Sequence, residues 1–81
     1  MISSALVIPA GAASAEPCGA SSYTSGGRQY VAYRNCGNSI VRFKAHIGGS
    51  WGWCVPVPRL ESAILHSKKV SSSQLWGLAS C

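Results

Sequence analysis

The sequence lacks aspartate altogether, and its two glutamates, Glu16 and Glu61, lie far apart in the chain. The paired carboxylates that general acid–base catalysis uses are therefore missing. No acid is placed to orient His46 or His66 for a nucleophilic serine, and no Gly-x-Ser-x-Gly motif occurs. We predict that this protein is not an enzyme and that it needs no cofactor.

Close pairs of metal ligands and a long apolar segment are also missing. No Cys-x-x-Cys motif is present, and both histidines lie far in sequence from any pair of cysteines. A zinc site normally takes its ligands from such close pairs, so we expect no metal. The apolar run at residues 5–13 is shorter than the roughly 20 residues that span a bilayer. The sequence therefore predicts no membrane span.

Four widely spaced cysteines are present, namely Cys18, Cys36, Cys54 and Cys81. An even number in so short a chain predicts two disulfides that close large loops, as in small secreted proteins. If all four are paired, no thiol remains as a nucleophile. Three pairings are possible. We favour Cys18–Cys36 with Cys54–Cys81, because each bridge then closes a local β unit.

The N-terminal residues have the pattern of a secretory signal peptide. An apolar run at residues 5–13 leads into Ala13-Ser14-Ala15, a cleavage site of the A-x-A type. The basic start of such a peptide is missing, since residues 1–4 carry no lysine or arginine. The alternative is an apolar N-terminal strand. We expect a truncated signal peptide at residues 1–15 and one mature, extracellular domain at residues 16–81.

Short alternating segments between turns predict an all-β fold. Tyr23-Thr24 and residues 28–34 flank the turn Ser25-Gly26-Gly27, which indicates a hairpin. Residues 60–66 fit a helix or a strand and favour a strand, residues 67–73 predict a mobile polar loop, and residues 74–80 a last strand. Six short strands are typical of a small antiparallel β-sandwich or barrel.

The strand at residues 41–47 alternates most regularly. One face is apolar and the other is a basic stripe of Arg42, Lys44 and His46, with Arg34 expected on a neighbouring strand. The net charge of +5 favours acidic partners, or serves only solubility. Basic residues among aromatics also suit single-stranded nucleic acid. Without a nucleic-acid-binding motif, we rank nucleic acid low as a partner.

A second strand carries Trp51, Trp53, Val55 and Val57 on one face, after the Gly48-Gly49-Ser50 turn. Pro56 within it indicates an edge strand or a bulge. Two tryptophans on one strand face are favoured in the core of a small domain. If that face is exposed, they form a platform that binds sugars or proteins.

The framework resembles that of the tendamistat-type α-amylase inhibitors of Streptomyces. The resemblance rests on the cysteine spacing, the turn after Cys36, the alternating strand after it, the proline soon after Cys54 and the cysteine at position 81. It implies a six-stranded antiparallel β-sandwich with sequential disulfides. It also implies inhibition of α-amylase through a Trp-Arg-Tyr triplet on the turn between the first two cysteines.

Arg28 stands at the position of the family's arginine, but its neighbours are Gly27 and Gln29, and Tyr30 comes one place late. The resemblance implies a secreted inhibitor that blocks a glycosidase through the first hairpin, with Tyr23, Arg28, Gln29 and Tyr30 as partner-binding residues. The alternative for Arg28 is an ordinary solvated arginine.

Two other functions fit the same scaffold. A protein-binding adaptor of a secreted assembly would use the strand of Trp51 and Trp53, the basic stripe or an exposed sheet edge. A cationic antimicrobial protein would use its charge on anionic cell surfaces, and its binding should fade at high salt.

Overall fold

The computed structural model describes residues 17–81, so the predicted signal peptide lies outside the described residues. This part of the chain contains strands and no helix, and therefore no apolar helix of membrane-spanning length. The strands are β1 (Gly19–Ser25), β2 (Arg28–Arg34), β3 (Val41–Ile47), β4 (Ser50–Trp51), β5 (Val55–Val57), β6 (Ser62–Lys69) and β7 (Trp76–Ser80). The all-β prediction is confirmed, with seven strands instead of six.

The strands form two antiparallel sheets. The first sheet has the order β1-β2-β6. In the second sheet β3 is central, with β7 along one side and β4 and β5 end to end along the other. The pairing register shifts by one residue between β4 and β5, and this shift divides the single strand that the sequence predicts. Pro56 lies on this edge, as predicted.

The core lies between the two sheets and is small. Val31 and Leu65 contribute to it from the first sheet, and Ala45, Ile47 and Val57 from the second. Partly buried side chains extend it, and the rings of Tyr33 and Phe43 meet with centroids 4.7 Å apart. The predicted alternation of β3 is confirmed, because its apolar residues face this core while Arg42 and Lys44 are exposed.

Both disulfides have the favoured sequential pairing. Cys18–Cys36 joins the start of β1 to the end of β2, and Cys54–Cys81 joins the segment between β4 and β5 to the end of β7. The first bridge therefore closes the first hairpin at its base, and the second ties together the two edges of the second sheet. No free cysteine is present in the described part of the chain.

The strand predicted at residues 60–66 is confirmed as β6, but the prediction of a mobile loop at residues 67–73 is wrong in its first part. Ser67–Lys69 belong to β6 and pair with Arg28–Tyr30 of β2. Polar residues can continue a strand whose outer face meets water, so their composition alone does not end it.

A buried asparagine shapes the crossing from the first sheet to the second. Asn35 donates from Nδ2 to the carbonyl oxygens of Ser39 and Val57 at 2.8 and 2.9 Å, and its Oδ1 accepts from the amide of Gly37 at 2.9 Å. Its buried amide is thereby satisfied, as a polar group in a small core must be.

Candidate partner-binding surfaces

The first surface lies on the outer face of the first sheet, at the first hairpin. Gly26 and Gly27 both have positive φ, 58° and 79°, which a tight hairpin turn requires and glycine adopts readily. Arg28 follows directly as the first residue of β2 and lies opposite Ser25. The two-residue turn thus fixes which side of the sheet each residue of β2 occupies.

Alternation along β2 points Arg28 and Tyr30 outward. Tyr23 lies opposite Tyr30 on β1, and the two rings stack with centroids 5.2 Å apart and planes 18° from parallel. Arg28 donates from Nη2 to Ser67 Oγ on β6 at 3.0 Å. We call Tyr23, Arg28 and Tyr30 the hairpin surface: a cation beside two stacked phenol rings.

Gln29, in contrast, is only 1% exposed, so the prediction that it contacts a partner directly is wrong. The period of two in a strand turns it to the inner face, between two outward neighbours. Its Nε2 donates to Ser22 Oγ at 3.1 Å and to the carbonyl of Gln74 at 3.0 Å, and its Oε1 accepts from the amide of Gln74 at 2.8 Å. Gln29 therefore fastens the segment before β7 to the hairpin.

The second surface lies on the outer face of the second sheet. Arg42, Lys44 and His46 follow one another there along β3, and Trp51 lies opposite His46 on β4. The Lys44 Nζ is 5.3 Å from the ring centroid of Trp51, a cation–π distance, and the His46 ring is 4.8 Å from the same indole. His46 Nδ1–H donates to the carbonyl of Gly48 at 2.9 Å, which fixes the imidazole.

The favoured interpretation of the tryptophans as core residues is wrong. Trp51 is 52% exposed and Trp53 is 87% exposed. Between them Gly52 faces His66 of the first sheet, and its amide donates to the carbonyl of Ala45 on the neighbouring β3 at 2.8 Å. A Cβ at this position would lie 2.8 Å from His66 Nδ1, so only glycine fits without movement. The close approach of Gly52 turns both indoles to solvent.

Arg34 does not belong to this basic stripe. It lies on β2, which pairs with β1 and β6, and the second sheet begins only after residues 35–40 have crossed between the sheets. The expectation that Arg34 lies on a strand neighbouring β3 is therefore wrong. The stripe consists of Arg42, Lys44 and His46.

A third feature, which the sequence pattern does not predict, is a groove of about 480 Å³ between β1 and the start of β7. Its lining includes Tyr23, Gln74, Leu75 and Trp76, and Leu75 is 86% exposed. No alternation at residues 71–75 signalled it, because the groove depends on how Gln29 holds Gln74. Throughout residues 17–81, no cluster of three or more potential metal ligands is present.

Comparison with known proteins identifies no relative of this chain. No family model matches the sequence, and neither the curated proteins nor the solved structures give a significant match. The function proposed below therefore rests on the surfaces of this protein alone.

Proposed function

We propose that this protein is a secreted inhibitor of a glycosidase, an α-amylase in the first instance, and that it binds the enzyme through the hairpin surface. One observation carries the proposal: Arg28 stands beside the stacked rings of Tyr23 and Tyr30 on a hairpin that Cys18–Cys36 closes at its base. Two disulfides in a small domain are compatible with work outside the cell.

The chemistry of this surface suits a glycosidase cleft. Such enzymes carry a pair of Asp or Glu residues around the scissile bond, and an arginine complements that charge. Tyrosine and arginine are enriched among the residues that dominate binding energy. The cross-strand stack and the bridge hold the surface in place before binding, which lowers the entropy lost in the complex.

The residues that flank Arg28 determine how strongly we expect the protein to inhibit an α-amylase. A family-type surface places aromatic residues on both sides of the arginine, whereas Arg28 here follows Gly27. Loss of an interface tryptophan costs about 2 kcal/mol or more. We therefore expect inhibition to be at least roughly thirtyfold weaker than with the complete triplet.

The test is steady-state inhibition of a panel of α-amylases by the oxidised protein. Arg28→Ala should raise the inhibition constant roughly thirtyfold, as expected for a hot-spot arginine. Arg59→Ala is the matched control, because it removes the same charge from an exposed residue in the turn before β6, at the other end of the first sheet. A folded protein that inhibits no α-amylase, or equal effects of both variants, would contradict the proposal.

A second candidate function is that of a protein-binding adaptor, and the sheet edges favour it. In the described chain β1 pairs only with β2 and β7 only with β3, and neither edge strand carries a charge or a proline. The opposite edges carry Pro56 on β5 and Lys68 and Lys69 on β6, features that discourage further pairing. Pull-down from extracellular fluid that survives Arg28→Ala and is lost with Ser21→Lys, a charge on β1, would support the adaptor.

A further inference from the structure

The outer face of the second sheet carries the row of Arg42, Lys44 and His46, and we call this row with the side chains that border it the channel. Along β3, alternate residues lie roughly 6.8 Å apart, so the basic side chains form a single row. On the β7 side, His46 and Lys44 lie opposite the small residues Gly77 and Ala79. On the other side Trp51 lies opposite His46 and Pro56 lies opposite Arg42, and the exposed Trp53 lies on the segment between β4 and β5.

The charged side chains of the channel are all basic in the described part of the chain. Among the described residues Glu61 is the only acidic side chain, and it lies in the turn before β6, a strand of the first sheet. No acidic side chain of the described chain therefore lies on the channel, and Arg42 and Lys44 are exposed at its floor. The position of Lys44 over Trp51 and the hydrogen bond of His46 to Gly48 hold these two side chains in place before any ligand arrives.

We infer that this channel binds a linear acidic polysaccharide. The exposed indoles of Trp51 and Trp53 offer flat apolar surface on which the C–H faces of sugar rings stack, while Arg42 and Lys44 bind the acid groups. This site is separate from the hairpin surface, which lies on the other sheet.

The size of the face favours a chain-like ligand over a protein. Three strands about 4.8 Å apart and seven residues at about 3.4 Å give a face of roughly 300 Å². A narrow strip of this kind suits an extended chain that lies along β3, whereas a standard protein interface needs about 800 Å² of accessible surface on each partner. Single-stranded nucleic acid would also stack on tryptophan. The two disulfides, however, suit the oxidising environment outside cells, where wall and surface glycans are found.

The test is calorimetric titration of the oxidised protein with polygalacturonate as the acidic probe. Dextran is the neutral control and oligothymidylate the nucleic-acid control. Two pairs of variants separate the channel from the rest of the surface. Trp53→Ala is matched by Leu75→Ala, which removes an equally exposed apolar side chain elsewhere. Lys44→Gln is matched by Lys69→Gln, which removes the same charge from the first sheet.

We expect polygalacturonate to bind, more weakly as salt is added, and dextran not to bind. Trp53→Ala and Lys44→Gln should each weaken binding about tenfold, while Leu75→Ala, Lys69→Gln and Arg28→Ala should leave it unchanged. Circular dichroism establishes that each variant is folded. Absence of binding, equal losses within a matched pair, or tighter binding of oligothymidylate than of polygalacturonate would overturn the inference.

Discussion

Replacement of Gln29 by alanine tests how the hairpin is held in place. The Gln29 side chain bonds both the amide and the carbonyl of Gln74 and also reaches Ser22 Oγ. It is therefore the link between β2 and the segment that precedes β7. Gln29→Ala removes all three hydrogen bonds and leaves the backbone groups of Gln74 without these partners.

The expected loss in free energy of unfolding follows from the hydrogen bonds that Gln29→Ala removes. Each unsatisfied buried group costs about 1–3 kcal/mol, and the lower end applies here because water reaches the partly buried bonds to Gln74. Two orphaned backbone groups then lower the free energy of unfolding by about 2–3 kcal/mol. A core of this size rarely supplies more than about 3–5 kcal/mol. At roughly 4–8 °C for each kcal/mol, the Tm should fall by at least about 8 °C.

Thermal and urea unfolding of the oxidised protein, followed by tryptophan fluorescence, measure this change. Amide exchange at Gln74 adds a local readout, which should accelerate in Gln29→Ala before global unfolding is reached. Thr24→Ala, at an exposed position on β1, is the control and should lie within about 0.5 kcal/mol of the wild type. Unchanged stability together with unchanged exchange at Gln74 would refute the role assigned to Gln29.

Two further predictions concern the scaffold. The double variant Cys54→Ser with Cys81→Ser opens a loop whose ends are 27 residues apart and should lower the free energy of unfolding by roughly 3.5 kcal/mol. Reduction of both disulfides should unfold the domain. A reduced protein that keeps a cooperative urea transition would contradict this. Gly52→Ala places a Cβ 2.8 Å from His66 Nδ1, so it should displace His66 from Ser50 and lower the free energy of unfolding by about 1–3 kcal/mol. Gly49→Ala is the control, because its Cβ would meet no atom within 4 Å. Equal Tm values for the two variants would refute the role of Gly52 in packing.

The predictable parts of the fold are those that depend on local pattern. The alternation of Val41, Phe43, Ala45 and Ile47 placed β3 correctly, and Gly26-Gly27 placed the first hairpin. The division of the next strand into β4 and β5 has no such signal, because it arises from a one-residue shift in the pairing with β3. The extension of β6 through Lys69 likewise depends on pairing with β2.

The two surfaces also combine features that the local sequence pattern predicts with features that depend on tertiary structure. Gln29 lies two residues before the buried Val31, so the period of two in the sequence already indicated an inward side chain. The period of two does not predict the exposure of Trp51 and Trp53, since the size and hydrophobicity of tryptophan favour burial. Their side chains point to solvent because Gly52, which lies between them, faces inward. Arg34 and Arg42 are separated because β2 and β3 belong to different sheets. The alternation within one strand does not predict the sheet to which that strand belongs.

Mapping of the contact surface tests the central proposal most directly. Amide exchange of the oxidised protein is measured with and without an excess of α-amylase. We expect slowed exchange at Tyr23 and from Arg28 to Tyr30, with no change from Arg42 to His46. Protection confined to the second sheet, or no protection anywhere, would contradict inhibition through the hairpin surface.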